Sequence, residues 1–404
     1  MMKRRVVVTG MGVVSPVGLD LDTFLRNVKE VRSGRSEITS FPTKDFPVKV
    51  AYPVRGFDPK PLGVQVLDPF IQFAVGAAAS AIEDAGLPVG SIDPYRIGLS
   101  VSSSKGGVST IDRFAERFRK YPSPILGARM YLNSVPNFAA QWIARKWEIR
   151  GPARCYVIAC ASGTAAVIEG ARMVEEGTVD YCIAGASDAS ITPLMLAGYF
   201  NMKAMSPSGW MRPFDRRRDG FLAGEGAGMV ILESQETAQA RGAKIYGEVL
   251  GFAYGCDGRH AIHFSAEENA LSRTVGLCLK ASGLSPERIG YVNLHGTATP
   301  AGDLYEAEQM KRAFGGYAQK IPMSSIKAVT GHMLGASGSV EIIATLLSMR
   351  DGFLLPTAGL EESDPACDLD YVAGRAREAK VDKALSVSMG FGGQIAAIAV
   401  GKGH

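Results

Sequence analysis

Three residues of this 404-residue chain have the types and settings that covalent chemistry asks for: one cysteine and two histidines, each among small residues. Cys160 lies in VIACASG (Val157–Gly163). The apolar, partly β-branched run Cys155–Ala159 predicts a buried strand. Ala161–Glu176 is rich in helix formers and closes at Gly177, which predicts a helix. Cys160 then stands at a sharp strand-to-helix turn, where unpaired N–H groups and the positive end of the helix dipole favour a thiolate. Small Ala161, Ser162 and Gly163 would let a carbonyl approach the backbone, as at a nucleophile elbow. The bland alternative is a buried cysteine packing as a small hydrophobe. The turn context favours the nucleophile.

His295 lies in YVNLHGTATPAGD (Tyr291–Asp303), after an apolar strand and before a Gly/Thr/Pro loop. His332 lies in KAVTGHMLGASG (Lys327–Gly338), ahead of a second ASG helix. That placement sets His332 where Cys160 stands in the first half. Only five histidines occur, at His260, His263, His295, His332 and His404. Two of them sit in Gly-flanked loops, which suit catalysis better than packing.

The elements that must position these residues alternate along the chain. Strands are expected at Arg5–Thr9 (ending at Gly10–Gly12), Ile97–Val101, Tyr181–Gly185 and Ala227–Leu232. Helices are expected at Asp20–Val28, Phe70–Ala85, Asn133–Trp147, Thr237–Arg241 and from Pro193. This predicts an α/β protein with mostly parallel sheets and ligand sites beyond the strands' carboxyl ends. Lys29–Gly63 reads as a surface excursion, and Ser206–Glu225 is a connection long enough to suggest function. The second half echoes the first. Ala85-Gly86-Leu87 before Arg96-Ile97-Gly98 recurs as Ser282-Gly283-Leu284 before Arg288-Ile289-Gly290. Ala161-Ser162-Gly163 with a helix to Gly177 recurs as Ala336-Ser337-Gly338 with a helix to Gly352. Two echoes in the same order argue for duplication, with Cys160 and His332 facing one pocket.

Composition narrows the class. Apolar content of 46% and charged content of 21% describe a globular chain. A net charge of +4 without a dense Lys/Arg run argues against nucleic acid. No apolar run reaches membrane-spanning length and no signal peptide is visible. The cysteines (Cys155, Cys160, Cys182, Cys256, Cys278, Cys367) lack CxxC pairs or metal-ligand clusters, so a reducing cytoplasm is expected. Arg212–Arg218 is the most basic tract. Its arginines either pair with Asp215 and Asp219 or contact an anion.

VIACASG, VNLHGTATPAGD, KAVTGHMLGASG and MGFGGQ, in that order, resemble the β-ketoacyl-[acyl-carrier-protein] synthases of the condensing-enzyme, thiolase-like superfamily. The likeness is strongest to elongating type II enzymes with a Cys-His-His triad. VVVTGMGVVSPVG and RPFDRRRDGFLAGEGAGMVILE agree, so the resemblance spans almost the whole chain. It implies a five-layer α/β/α/β/α fold in two duplicated halves, taken as 1–250 with Cys160 and 251–404 with both histidines. It also implies a homodimer, with a heterodimer as the alternative. The implied reaction is decarboxylative Claisen condensation of an acyl thioester with malonyl-acyl-carrier protein, in fatty-acid elongation. Substrates ride on the carrier protein's 4′-phosphopantetheine arm, with no bound cofactor or metal. The resemblance implies Cys160 as nucleophile and His295 and His332 as donors to the malonyl thioester carbonyl. Lys327 would hold that network with Glu341. Phe391 would gate the site, its N–H completing an oxyanion hole with that of Cys160. Thr297, Thr299, Ser265, Ile111 and Gly392 fall at substrate-binding positions.

Departures from the family pattern bear on substrate and partner. Val387 and Met389 replace an asparagine and an aromatic, and GFGGTN reads GFGGQI, with Gln394 and Ile395. Cys256–Asn269 is unlike the usual text. Gly63–Leu67 lacks the Lys and Arg that dock an acidic carrier protein, and its apolar character suggests another partner surface or a buried interface. Docking charge is then expected on Arg212, with Arg216, Arg217 and Arg218 divided between docking and local ion pairs. A specialised ketosynthase for an unusual lipid or polyene stays open beside elongation. A thiolase would need a second cysteine in Ser386–Gln394, and a non-catalytic chain-length-factor subunit would lack Cys160.

Overall fold

A computed structural model of the chain describes residues 3–121, 127–265 and 267–403. Its centre is a ten-stranded sheet. The first half supplies β1 (Val6–Val14), β2 (Ile97–Ser102), β3 (Ala153–Arg154), β4 (Tyr181–Ala189) and β5 (Glu225–Ser234). The second supplies β6 (Gly247–Cys256), β7 (Tyr291–Asn293), β8 (Met323–Ser324), β9 (Lys383–Gly390) and β10 (Gln394–Lys402). Their spatial order is β3-β2-β4-β5-β1-β6-β10-β9-β7-β8. Read outward from the β1/β6 junction, the two halves repeat strand for strand. In each, the two inner pairings are antiparallel and the two outer ones parallel. Val6–Val8 joins the halves by pairing antiparallel with Gly247–Val249. Residues 250 and 251 fall inside β6, so the topological division lies ahead of Gly247.

The helices that matter are α1 (Pro69–Asp84), α2 (Val108–Lys120), α3 (Ser162–Glu175), α4 (Pro193–Asn201), α5 (Ala270–Ala281), α6 (Pro300–Phe314) and α7 (Ser337–Asp351). Helix α1 covers β1, β4 and β5 on one side; α5 covers β6 and β10 on the other and carries α6. Between the half-sheets α3 and α7 pack on one another. This makes five layers, α/β/α/β/α. Helix α7 is buried from Ser337 through Met349, as a central layer must be. The repeated ASG has a steric reason here. A Cβ at Gly163 would stand 2.5 Å from the Gly335 carbonyl oxygen, and one at Gly338 would stand 2.2 Å from Thr164 Oγ1. Only glycine lets the two helix starts meet.

Several expectations change. The sheet is mixed, because a connection as short as Phe391–Gly393 can only join antiparallel strands. Residues 155–158 are irregular, with Val157 53% exposed, Ala159 opens a helical turn, and only Ala153–Arg154 pairs, at the sheet edge. β1 does not stop at Gly10–Gly12 but runs through a bulge to Val14. Asn133–Trp147 is interrupted near Pro136, giving Arg129–Ser134 and Phe138–Lys146. Val64 and Leu67 belong to the core, leaving Val66 exposed at 57%. Among the described residues, no helix is long and apolar enough to cross a membrane.

Candidate active site

Cys160 sits in a single helical turn, Ala159–Ala161, that feeds α3. Ala159 has φ +51°, a left-handed conformation that side chains avoid and that tilts the turn out of the helix line. A matching turn, Leu334–Ala336, feeds α7, with Leu334 at φ +50°. Gly335 is therefore the counterpart of Cys160, which corrects the equivalence of Cys160 with His332. His332 lies three residues earlier. Its backbone N–H donates to Leu222 O at 2.9 Å, and its carbonyl accepts from Gly224 N at 2.9 Å, tying it to the long connection before β5.

The structure brings Cys160, His332 and His295 into one pocket of about 250 Å3. His332 Nε2 stands 3.2 Å from Cys160 Sγ, and its Nδ1 stands 3.1 Å from Ser337 Oγ. The His295 and His332 rings meet edge to face, centroids 5.4 Å apart. Burial lowers the basicity of both imidazoles well below the usual histidine range, and the Lys327 charge adds to it. Both rings are neutral at pH 7. Lys327 is fully buried and its Nζ bonds Glu341 Oε1, while Asn293 Nδ2 donates to Glu341 Oε2 at 3.4 Å. Burial also pushes the Cys160 thiol up to about 11. The resting sulfur is thus a thiol; loss of hydration outweighs the helix-start field that suggested a thiolate.

A Cβ at Gly390 would lie 3.0 Å from Cys160 N, so the Gly390–Phe391 backbone runs directly against the Cys160 amide. Phe391 lines the pocket with Met389. Thr297 and Thr299 line the mouth, their hydroxyls 3.2 Å apart. Ile262, His263 and Phe264 also line it, and Gly392 N donates to Ala261 O at 2.8 Å, joining their segment to the Gly390–Gly393 loop. Three positions expected to bind substrate lie off the pocket wall. Gly392 is exposed on the Gly390–Gly393 loop; Ser265 donates its N–H to Asp257; Ile111 is 40% exposed on α2.

Two positioning residues escaped the sequence reading. Glu306, on α6, accepts the backbone N–H of His295 at 2.6 Å and of Gly296 at 2.7 Å. Ser337 orients the His332 ring. Nothing local marks either; an acid inside a helix and the serine of an ASG string look ordinary until the elements converge. Tyr199 is buried in the same apolar cluster as Cys160, and its hydroxyl has no partner among the described residues.

The arginine tract resolves mostly into ion pairs. Arg217 binds Asp215 and Glu361, Arg216 binds Glu362, and Arg218 binds Asp364. Asp219 pairs with none of them; it accepts from Ser206 Oγ and Ser208 N instead. Arg212 is half-buried, stacked 5.8 Å over Trp210. A separate basic cavity opens beside exposed Val66, lined by Arg113, Arg117 and Arg129. Among the described residues none of these three has a carboxylate partner at ion-pair distance.

Fold and site together define an acyl-transferring condensing enzyme built on the thiolase-like fold. Residues 3–238 match the beta-ketoacyl synthase N-terminal domain, and residues 246–361 match the beta-ketoacyl synthase C-terminal domain. The chain belongs to the beta-ketoacyl synthase family. It is 39% identical to a 3-oxoacyl-[acyl-carrier-protein] synthase 2 of Synechocystis sp., over 99% of this chain and 98% of the relative. Among solved structures, the ishigamide ketosynthase/chain length factor superposes with a TM-score of 0.94 at 31% identity, covering 100% of both chains. A type II PKS acyl-carrier protein in complex with its ketosynthase bound to the hexaketide gives 0.93 at 29% identity, again with full coverage of both.

Proposed function

We propose that this chain carries out decarboxylative condensation of an acyl thioester with malonyl-acyl-carrier protein, as a 3-oxoacyl-[acyl-carrier-protein] synthase of fatty-acid elongation, with Cys160, His295 and His332 as its catalytic residues. The observation that carries the assignment of roles is His332 Nε2 at 3.2 Å from Cys160 Sγ, in a pocket shared with His295. Cys160 Sγ attacks the acyl carbonyl carbon; its proton passes through His332 Nε2 to the leaving pantetheine sulfur as the old C–S bond breaks. The N–H groups of Cys160 and Phe391 hold the oxyanion, each contributing roughly 3–4 kcal/mol. Malonyl thioester then enters. Its carboxylate leaves as CO2, and the bond's electrons form an enolate held by N–H donation from His295 and His332. The enolate carbon attacks the acyl carbonyl, Cys160 leaves as thiolate, and one solvent proton restores the thiol. His332 must accept in the first step and donate in the second. The Ser337 hydroxyl can accept from or donate to Nδ1, so it suits both tautomers.

The carrier protein supplies the 4′-phosphopantetheine arm, which Thr297, Thr299 and Phe391 would line at the mouth. Its acidic surface would meet Arg212 together with Arg113, Arg117 and Arg129, four arginines without an acid partner among the described residues. The chain works as a cytoplasmic homodimer in this reading. Support comes from six free thiols and from the sheet edge at Ala153–Arg154, which no further strand covers among the described residues. Incubation with acyl- and malonyl-loaded carrier protein should yield, by mass spectrometry, a carrier-bound 3-oxoacyl chain two carbons longer. Absence of that product with carrier proteins of every chain length tried would refute the assignment.

A further inference from the structure

The cavity around Cys160 changes character from floor to rim. Cys160, His295 and His332 are buried within it, whereas Lys203 and His263 line it as exposed residues at its edge. Among the described residues no Asp or Glu lines the cavity, and Lys203 is the one Lys or Arg that does. Lys203 holds that place against its own backbone preference. It follows α4 with φ +54°; its N–H donates to Phe200 O at 2.8 Å, and Ala204 N donates to Tyr199 O at 3.2 Å. Gly86 and Gly283 close α1 and α5 with the same two bonds, and glycine is the residue that this left-handed closure favours. The Ala204 carbonyl accepts Phe221 N at 2.9 Å, which roots Lys203 on the cavity wall. His263 belongs to Cys256–Asn269, the segment that departs most from the family text. His260 Nδ1 accepts the N–H groups of Ile262 and His263 at 3.1 Å each, and the two imidazoles stack with centroids 5.1 Å apart. Asp257 and Glu268 of that segment are engaged elsewhere, by the N–H groups of Arg259 and Ser265 and by the Arg259 guanidinium. Among the described residues neither Lys203 nor His263 has a carboxylate at ion-pair distance.

The arm that delivers an acyl group is pantetheine, and its phosphate lies at the end remote from the sulfur. With the sulfur at Cys160 and the body of the arm against Thr297 and Thr299, the phosphate is the part that reaches the rim. An anion there meets an ammonium and an imidazole N–H and no carboxylate, the setting in which charge-assisted hydrogen bonds are strong. We propose that Lys203 and His263 form a phosphate subsite at the rim, which makes the enzyme prefer thioesters of phosphorylated pantetheine to those of pantetheine itself. A lysine at a turn made for glycine is the residue this function requires, since glycine would close the helix and bind nothing.

The inference rests on Cys160 being the acylated residue, and its test separates the two. Hexanoyl-pantetheine and hexanoyl-4′-phosphopantetheine differ only in the phosphate. Wild-type protein is loaded with each, and acylation is followed by intact-mass spectrometry over time and by peptide mapping. The phosphorylated thioester should load with an apparent second-order rate about tenfold higher, and the ratio should shrink as salt is raised. Lys203→Gly suits the left-handed turn, so it should leave the fold at least as stable while bringing the ratio toward one. His263→Ala should lower the ratio too, and His263→Gln, which keeps a donor, should lower it less. Hexanoyl-coenzyme A and hexanoyl-carrier protein both carry the phosphorylated arm; the larger loss in Lys203→Gly marks the one that the subsite serves. A wild-type ratio near one, or a ratio that neither Lys203→Gly nor His263→Ala moves, overturns the subsite and leaves the nucleophile standing. Label on another cysteine overturns both.

Discussion

Cys160 Sγ and His332 Nε2 lie 3.2 Å apart although 172 residues separate them in the chain. Neither is activated alone: burial leaves the sulfur protonated and the imidazole neutral. In the proposed mechanism the pair works because the proton has one short path from one to the other. Cys160→Ala should therefore remove acyl transfer by several orders of magnitude. A thiol-directed acylating inhibitor should label Cys160 and spare Cys155 and Cys182, as read by peptide mass mapping. A label on Cys155, which is half-buried on the same segment, would move the nucleophile.

The two histidines should separate by step. His295→Ala should block malonyl decarboxylation and leave Cys160 acylation largely intact, since the oxyanion donors are backbone groups. His332→Ala should impair both, acylation by about 10²–10⁴-fold as for other lost general bases. Ser337→Ala should slow both without altering the fold. Decarboxylation is followed by CO2 release and acylation by intact mass; normal decarboxylation in both histidine variants would refute their assignment.

The pH profile follows from the depressed basicity of His295 and His332. Decarboxylation needs both rings neutral, so its rate should stay level as pH falls through 6.5, the ordinary histidine value, and drop only at more acid pH. Lys327→Met removes a positive charge that disfavours the imidazolium, so the acid limb should move up toward 6.5. Stability carries the same sign. The unfolded chain takes up protons on these rings near 6.5 and the folded chain only below it, so their contribution is present above 6.5 and declines as pH falls.

The buried Lys327–Glu341 pair should couple strongly. Removing one partner strands a charge in the central layer, so Lys327→Met or Glu341→Leu alone should cost about 3–5 kcal/mol. The double variant should recover most of that loss in chemical denaturation while remaining catalytically impaired. Additive losses in the double-variant cycle would show that the pair is not coupled.

Docking is tested by salt and by substrate. Arg117→Glu and Arg212→Glu should each weaken use of carrier-bound substrates, most at low ionic strength, and leave a short pantetheine thioester nearly unaffected. Equal loss with both substrates would make the residue a support of the fold. Arg212, stacked over Trp210, is the more exposed to that outcome.

Much of this protein is written locally. Helix starts and stops at α1, α3 and α7 follow from Asp68, Gly86, Gly177 and Gly352, because caps act over one turn. The ASG echo reveals the duplication, because each copy meets the other and needs the same glycine. Cys160, His295 and His332 stand out because their residue types are rare in loops and helix starts of this kind, and the family resemblance adds Lys327. Distant packing decided the rest. It made the sheet mixed, gave Gly335 rather than His332 as the second-half counterpart of Cys160, and set Ser337 against His332 and Glu306 against the His295 backbone. It also decided the charge states. Whether Cys160 is thiol or thiolate depends on desolvation by both halves at once, and no stretch of sequence carries that sum.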